Sequence, residues 1–99
     1  MANQQVTVTA RIKVKPGMEE RFKQEYLPVL EVSRSEEGCI NYDLHQSTDE
    51  PSLFLLHENW VSKEILDKHL QMPYIKALGE KGGEILAEPP EVRLWQRVG

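Results

Sequence analysis

The first clear pattern in the chain is a strict alternation of apolar and polar residues near its start. In VTVTARIKV, residues 6–14, each apolar side chain is followed by a threonine, an arginine or a lysine. Successive side chains of a strand point to opposite faces, so this period of two predicts a strand with one buried face. The expected buried residues are Val6, Val8, Ala10, Ile12 and Val14. KPG at 15–17 predicts a turn after this strand.

Apolar residues recur at helical spacing after the turn, with charged residues between them, which predicts an amphipathic helix. They are Met18, Phe22, Tyr26, Val29 and Leu30. Pro28 lies within this segment, where it removes one backbone hydrogen bond and is expected to kink the last turns. SRSEEG at 33–38 ends the helix, and its glycine, Gly38, begins the next segment.

CINYDLHQS at 39–47 and LFLLHENW at 53–60 predict two strands, which TDEPS joins as a turn. If Ser47 pairs with Leu53, an antiparallel register follows for both faces. On one face the expected partners are Leu44 with Leu56, Tyr42 with Glu58, and Ile40 with Trp60. On the other they are His45 with Leu55, Asp43 with His57, and Asn41 with Asn59.

The last third of the chain predicts two helices and a strand. Ser62 is the expected N-cap of the first helix, and Glu64 lies favourably in its first turn. Its predicted inner stripe is Ile65, Leu66, His69 and Leu70. Pro73 predicts a stop and the start of a short helix that buries Tyr74, Ile75 and Leu78, with KGGEILAEPP leading out of it. EVRLWQRV predicts the final strand, with Val92, Leu94 and Val98 on one face and Trp95 on the other.

The element order predicts a single α+β domain over residues 1–99, with a ferredoxin-like βαββαβ antiparallel sheet. Two helices cover only one face of a four-stranded sheet, so Leu53 and Leu55 on the other face need a different cover. An exposed apolar face favours a second copy of the chain, and we expect a homodimer with the two sheets face to face.

Composition narrows the classes of partner. The formal net charge is −4, and the basic residues of ARIKVK alternate along a strand, so nucleic acid is not an expected partner. No apolar run approaches the ~20 residues of a membrane span, and the first residues do not resemble a signal peptide. The single cysteine, Cys39, forms no internal disulfide and is expected to be inert, which suits a cytoplasmic location.

Three candidate groups share the predicted helix-facing side. His69 is either a core histidine with one satisfied nitrogen or the base of a pocket. Trp60 either packs in the core or forms a pocket wall. Glu58 must be paired or have a raised pKa there, because a buried carboxylate is costly. Its expected partner is Tyr42, Arg34 or Arg93, and the functional alternative is an anchor for a substrate hydroxyl.

Other polar residues have structural interpretations that compete with functional ones. Asp43, His45 and His57 share the opposite sheet face and could hold a divalent metal, but polar contacts at a dimer interface are the favoured interpretation, and no metal is predicted. Arg34 is expected to pair with Glu36, Glu37 or a partner chain, with a substrate carboxylate as the alternative.

Three stretches together resemble the antibiotic biosynthesis monooxygenase family, whose members are small dimeric α+β barrels. They are VTVTARIKVKPGMEERF, SRSEEGCINYDLHQSTDEPSLFLLHENWVS and HLQMPY. The V-K-P-G turn, the G-C-x-x-Y strand, the E-x-W strand end and the H-x-x-x-P step occur in the family's order, and the quinol monooxygenases match most closely. Family members commonly carry histidine at the position of Tyr74, so that histidine's chemistry is missing here or is supplied by another group.

The resemblance implies oxidation of a quinol-like or polycyclic aromatic compound by molecular oxygen, with no cofactor. The sequence contains no G-x-G-x-x-G, P-loop or H-E-x-x-H motif, which agrees with that expectation. The catalytic prediction assigns His69 as base, Trp60 as a stacking wall and Glu58 as anchor or orienter. The predicted substrate-binding residues are Tyr42, Leu56, Leu66 and Tyr74.

Three other functions compete with this one. Isomerisation of a sugar-like phosphate, as in the autoinducer-processing relatives, would need clustered cations on the pocket face, and the sequence has none there. Haem-degrading relatives carry a tryptophan and a histidine at the positions that His69 and Gly79 hold here. A non-catalytic dimer that binds a small molecule in the same cavity stays open.

Overall fold

The computed structural model describes residues 5–99, which form one four-stranded antiparallel sheet and three helices. The elements are β1 Val6–Lys13, α1 Glu19–Arg34, β2 Cys39–Gln46, β3 Leu53–Trp60, α2 Lys63–Leu70, α3 Pro73–Ile85 and β4 Glu91–Trp95. The strand order is β2-β3-β1-β4. This arrangement confirms the ferredoxin-like α+β fold.

The core lies between the helices and one face of the sheet. The alternation of β1 buries Val8, Ala10 and Ile12, and Val14 follows them into the core. The neighbouring strands and the helices complete the cluster with Phe22, Leu30, Tyr42, Phe54, Leu56, Trp60, Leu66 and Ile85. The apolar period of each element therefore decides which of its faces is buried.

The predicted β2–β3 register is confirmed except at one position. Ser47 donates its backbone N–H to the Leu53 carbonyl at 2.8 Å. The other predicted pairs are all present: Leu44 with Leu56, Tyr42 with Glu58, His45 with Leu55, Asp43 with His57, and Asn41 with Asn59. Trp60, however, pairs with Cys39, because the register shifts between Cys39 and Asn41. An extra residue in a bulge lacks a partner, which leaves Ile40 51% exposed rather than opposite Trp60.

The first two helices follow the sequence closely. Helix α1 continues through Pro28 to Arg34. The Ser62 hydroxyl accepts the Ile65 N–H at 3.3 Å, which confirms the predicted cap of α2. Leu66 and His69 are buried as expected, but Leu70 is half exposed. Leu70 borders the open space between the helices and the sheet, which leaves part of its side chain uncovered.

Helix α3 is longer than predicted, and KGGEI belongs to it rather than to the exit from it. Glycine disfavours helix, so the local sequence favours an earlier end. Contacts made by the last turns offset that preference. Ile85 is buried, Arg21 pairs with Glu84 at 3.1 Å, and the Lys15 ammonium donates to the Gly83 carbonyl at 3.1 Å.

Strand β4 pairs with β1, and all five of its residues are exposed. Val92 and Leu94 share one face, as predicted, and lie opposite Ala10 and Val8 on the helix-facing side. The Trp95 indole lies on the other side and donates to the Thr9 hydroxyl at 2.8 Å. The strand ends at Trp95, so Val98 lies beyond it and is 99% exposed, and its predicted place beside Val92 and Leu94 is wrong.

The outer sheet face carries mostly polar residues around a small apolar group. Leu53 is half-buried, Leu55 is 43% exposed and Trp95 is 50% exposed. No helix within residues 5–99 is long and apolar enough to cross a membrane.

Candidate functional site

A cavity of about 590 Å³ lies between the helices and the inner face of the sheet. Its volume falls in the range of small-molecule sites. The sheet contributes Val8, Ala10, Ile12, Tyr42, Leu56 and Glu58 to the lining. The helices contribute Phe22, Tyr26, Leu66, His69, Leu70, Ile75, Leu78 and Gly79, among others. An aromatic and aliphatic wall with a few ionisable groups suits a largely apolar ligand.

His69 is the most deeply buried ionisable group of this lining, with 1% of its surface exposed. Helix α2 turns it inward because it follows Leu66 by three residues. Its Nδ1 lies 2.9 Å from Oε2 of Glu36, just beyond the end of α1. The Tyr74 hydroxyl donates to the same carboxylate oxygen, and Ser33 Oγ lies 3.1 Å from the Tyr74 oxygen.

Glu58 takes a partner that the sequence did not predict. The Trp60 indole N–H donates to its Oε1 at 2.7 Å, in place of the expected Tyr42, Arg34 or Arg93. Both side chains point to the inner face, because residues two apart on a strand share a face. Burial raises the pKa of Glu58 to about 7, the Trp60 hydrogen bond opposes that rise, and the Glu36 charge adds to it. The carboxyl therefore exchanges its proton near neutral pH.

Trp60 lies behind the cavity lining rather than in it. It is 0% exposed, and its ring centroid lies 4.5 Å from that of His69. Its other aromatic neighbour is Tyr42, in an edge contact at 6.2 Å. Trp60 thus supports Glu58 through a hydrogen bond and His69 through ring packing. A stacking wall against a ligand is not the position that the structure gives it.

Three tyrosines surround these acid–base groups. Burial, followed by the Glu58 charge, raises the pKa of Tyr26 to about 12 and that of Tyr42 well above its usual range. Burial and the bond to Glu36 raise the pKa of Tyr74 to about 12. All three phenols are neutral hydrogen-bond donors at neutral pH. Tyr42 and Tyr26 line the cavity, while Tyr74 braces Glu36 behind it.

Arg34 pairs across to the sheet rather than with Glu36 or Glu37. Its guanidinium lies 3.2 Å from Asp43 Oδ1 and donates through Nε to the Tyr42 carbonyl at 3.0 Å. The expected partner Glu36 instead faces His69 and accepts from the Tyr74 hydroxyl. Arg34 therefore links the end of α1 to β2 through its own polar contacts.

The outer face carries the Asp43, His45 and His57 set. Asn41 donates to Asp43 Oδ2 at 3.0 Å and lies 3.3 Å from His57 Nδ1. Over residues 5–99, no group of three or more His, Cys, Asp or Glu side chains is arranged to hold a metal ion. His57 lies on the face opposite Glu58, as the strand period predicts.

The structure brings five of the seven predicted site residues to the cavity wall, and two lie behind it. Those at the wall are Tyr42, Leu56, Glu58, Leu66 and His69. Trp60 and Tyr74 contact the acid–base groups from behind. Sequence reasoning missed Glu36 and Ser33 as site residues. The available signal was that a buried histidine needs a polar partner, but it did not specify which one.

Comparison with known sequences finds related proteins over most of the chain. The family model described as antibiotic biosynthesis monooxygenase matches residues 5–81. The chain is 37% identical over 95 residues to "Uncharacterized protein sll1783" of Synechocystis, with 96% of this chain and 65% of that protein covered. It is 32% identical over 87 residues to "Putative monooxygenase YcnE" of Bacillus subtilis, with 88% and 92% covered.

Solved structures show the same fold. The crystal structure of PA3566 from Pseudomonas aeruginosa has a TM-score of 0.91 at 25% identity, covering 100% of this chain and 99% of that one. Rv0793 from Mycobacterium tuberculosis has a TM-score of 0.90 at 27% identity, with 96% of both chains covered. The likeness in fold thus includes every element that borders the cavity.

Proposed function

Because the chain belongs to the antibiotic biosynthesis monooxygenase family, we propose that its cavity oxidises a quinol-like or polycyclic aromatic compound with molecular oxygen. One observation carries the proposal: an apolar cavity of about 590 Å³ is lined by two buried acid–base side chains, His69 and Glu58. The apolar wall suits an aromatic ring system, and the two ionisable groups suit proton transfer at its hydroxyl or acidic C–H.

His69 is the proposed base. A quinol or anthrone that gives up a proton becomes an electron-rich anion, which transfers an electron to oxygen. The resulting radical pair joins at a ring carbon and forms a carbon–oxygen bond. Burial of the site strengthens the interactions that hold the anion and keeps water from competing with oxygen.

Glu58 is the proposed proton donor to the peroxide that follows. The peroxide anion first takes back the proton that His69 had removed, and Glu58 then protonates the departing oxygen, which leaves as water when the O–O bond breaks. The ring carbon gives up its remaining hydrogen as a proton to the Glu58 carboxylate, so the other oxygen atom stays in the product as a carbonyl. The substrate loses two hydrogens and gains one oxygen, so that all four electrons needed to reduce O₂ come from the substrate. A carboxyl with a pKa of about 7 both holds and releases a proton near neutral pH.

Trp60 and Tyr42 have supporting roles in this proposal. Trp60 is a positioning residue, since its N–H holds Glu58 and its ring packs on His69. Tyr42 lines the cavity and offers a neutral hydroxyl to a developing oxyanion. Leu56 and Leu66 form part of the apolar wall, and Tyr74 contributes through its hydrogen bond to Glu36.

The proposed functional form is a homodimer. Leu55 and Trp95 are about half exposed on the outer sheet face, next to the half-buried Leu53. A second copy packed on this face would remove these groups from water, which apolar surface favours. The reaction cavity lies on the opposite face and would stay accessible in such a dimer.

Oxygen consumption tests the proposal directly. The purified protein would be offered naphthohydroquinones and anthrones under ¹⁸O₂, with and without a chelator. We expect stoichiometric oxygen uptake, one ¹⁸O atom in the quinone product and no effect of the chelator. Binding of these compounds without accelerated oxygen uptake would instead support a non-catalytic binding protein, and loss of turnover on chelation would point to a metal.

A further inference from the structure

One carboxylate oxygen joins three parts of the chain behind the cavity. Oε2 of Glu36 takes the Tyr74 hydroxyl from the first turn of α3 and faces His69 Nδ1 from the last turn of α2. Glu36 itself follows α1, where its N–H donates to the Ser33 carbonyl at 3.1 Å. Its side chain is 13% exposed, against 1% for His69. The contact is therefore sheltered and geometrically defined.

The chemistry of the two groups determines where the imidazole proton lies. An ionised carboxylate only accepts hydrogen bonds, and a neutral imidazole carries a single N–H. At 2.9 Å, Nδ1 must therefore donate to Glu36. Nε2 then has a free lone pair, and it is the nitrogen of His69 that is left to accept a proton.

The surroundings of Glu36 leave its carboxylate free to accept the hydrogen bond from His69 Nδ1. Arg34, two residues earlier, is engaged with Asp43 and the Tyr42 carbonyl. Tyr74 reaches Glu36 as a neutral donor, and Ser33 Oγ lies 3.1 Å from the Tyr74 oxygen. These contacts fix the orientation of the carboxylate without neutralising its charge.

We propose that Glu36 is the positioning residue of this site, holding His69 as the Nδ1–H tautomer so that Nε2 is the base, with Tyr74 as the brace of Glu36. The inference rests on the proposed function only in assigning His69 as a base. The tautomer and its cause are properties of the protein without substrate. They can be measured whether or not a substrate is known.

The test is ¹⁵N NMR of the ligand-free protein at pH 8, with the His69 signals identified by their loss in His69→Ala. We expect a protonated Nδ1 and an unprotonated Nε2. Glu36→Leu removes the oxygen that faces Nδ1, so the proton should move to Nε2, the nitrogen that carries it in the favoured tautomer of a free neutral imidazole. Glu37→Leu is the matched control, because it makes the same change at an exposed neighbouring residue, and it should leave the tautomer unchanged.

A kinetic measurement completes the test. With an active substrate, Glu36→Leu should lower kcat by about 10²-fold or more with little change in KM, since a base in the wrong tautomer still leaves the cavity intact. Glu36→Asp should keep the Nδ1–H tautomer and part of kcat. A wild-type His69 protonated at Nε2, or a tautomer that does not respond to Glu36→Leu, would overturn the inference. An Nδ1–H tautomer in a protein without turnover would refute the proposed function alone.

Discussion

Glu58 and His69 are both buried, but the chain supplies them with opposite kinds of partner. Glu58 has a neutral donor, the Trp60 N–H, while His69 faces the Glu36 carboxylate. A neutral donor only partly offsets the cost of burying a negative charge, so Glu58 stays near its midpoint of ionisation at pH 7. The site therefore combines a carboxyl whose pKa lies near neutral pH, Glu58, with an imidazole that a carboxylate holds in place, His69.

The pKa of Glu58 makes folding stability depend on pH. Its folded pKa of about 7 lies above the ordinary 4.5, so the folded state binds more protons between these values. Stability should therefore fall as pH rises through this window, by about 3 kcal/mol in total. In Glu58→Gln this contribution should disappear, as measured by urea unfolding between pH 4 and 8. Equal pH dependence in wild type and Glu58→Gln would contradict the assignment, and exposed Glu37→Gln serves as the control.

The indole N–H of Trp60 lowers the pKa of Glu58, so its removal should have the opposite effect. In Trp60→Phe we expect the pKa of Glu58 to rise further above about 7, as followed by ¹³C NMR of the side-chain carboxyl. Trp95→Phe is the matched control, because Trp95 donates instead to Thr9 on the outer face. A lower or unchanged pKa in Trp60→Phe would show that this hydrogen bond does not support the carboxylate.

Some residues of the site could be predicted from the sequence and others could not. Glu58 and His69 could be placed on the inner face because strand and helix periods fix the direction of a side chain. Glu36 could not, because it lies beyond the end of α1, where no period applies. Its contact with His69 spans 33 positions and depends on how the helices pack.

At the element scale, the strands were more predictable than the end of α3. The β2–β3 register follows from two alternating patterns and a short turn, and only the bulge near Cys39 departs from it. In α3, local propensity and tertiary contacts disagree. The glycines favour an early end, while Ile85, Arg21 with Glu84, and Lys15 extend the helix. Only the folded structure shows which of the two prevails.

Gly83 offers a test of that balance. It lies in α3, it is exposed, and a Cβ there would meet no atom within 4 Å. Gly83→Ala should therefore stabilise the protein by about 1 kcal/mol, the difference in helix propensity. Gly17→Ala should instead destabilise it by about 1 kcal/mol, because Gly17 has a φ of +88°. Urea unfolding measures both, and a destabilising Gly83→Ala would mean that α3 needs the glycine itself.

In the whole molecule, the two faces of the sheet carry different kinds of surface. The inner face carries the core and the cavity, and the outer face carries the half-exposed Leu55 and Trp95. A homodimer through the outer face should be visible by light scattering at micromolar concentration. Leu55→Glu should shift it to monomer, whereas Leu27→Glu, at an exposed position of α1, should not. A monomeric wild type at that concentration would refute the proposed assembly.

The proposed oxidation depends on the inner face, and a pair of histidine variants distinguishes the two faces most directly. His69 lines the cavity, while His57 lies on the outer face beside Asn41. The measurement is oxygen uptake with a naphthohydroquinone or anthrone that the wild type oxidises. His69→Ala should lower kcat by about 10²-fold or more, the scale of a lost general base, while His57→Ala keeps its turnover. Full turnover in His69→Ala together with loss of turnover in His57→Ala would place the chemistry on the outer face and contradict the account.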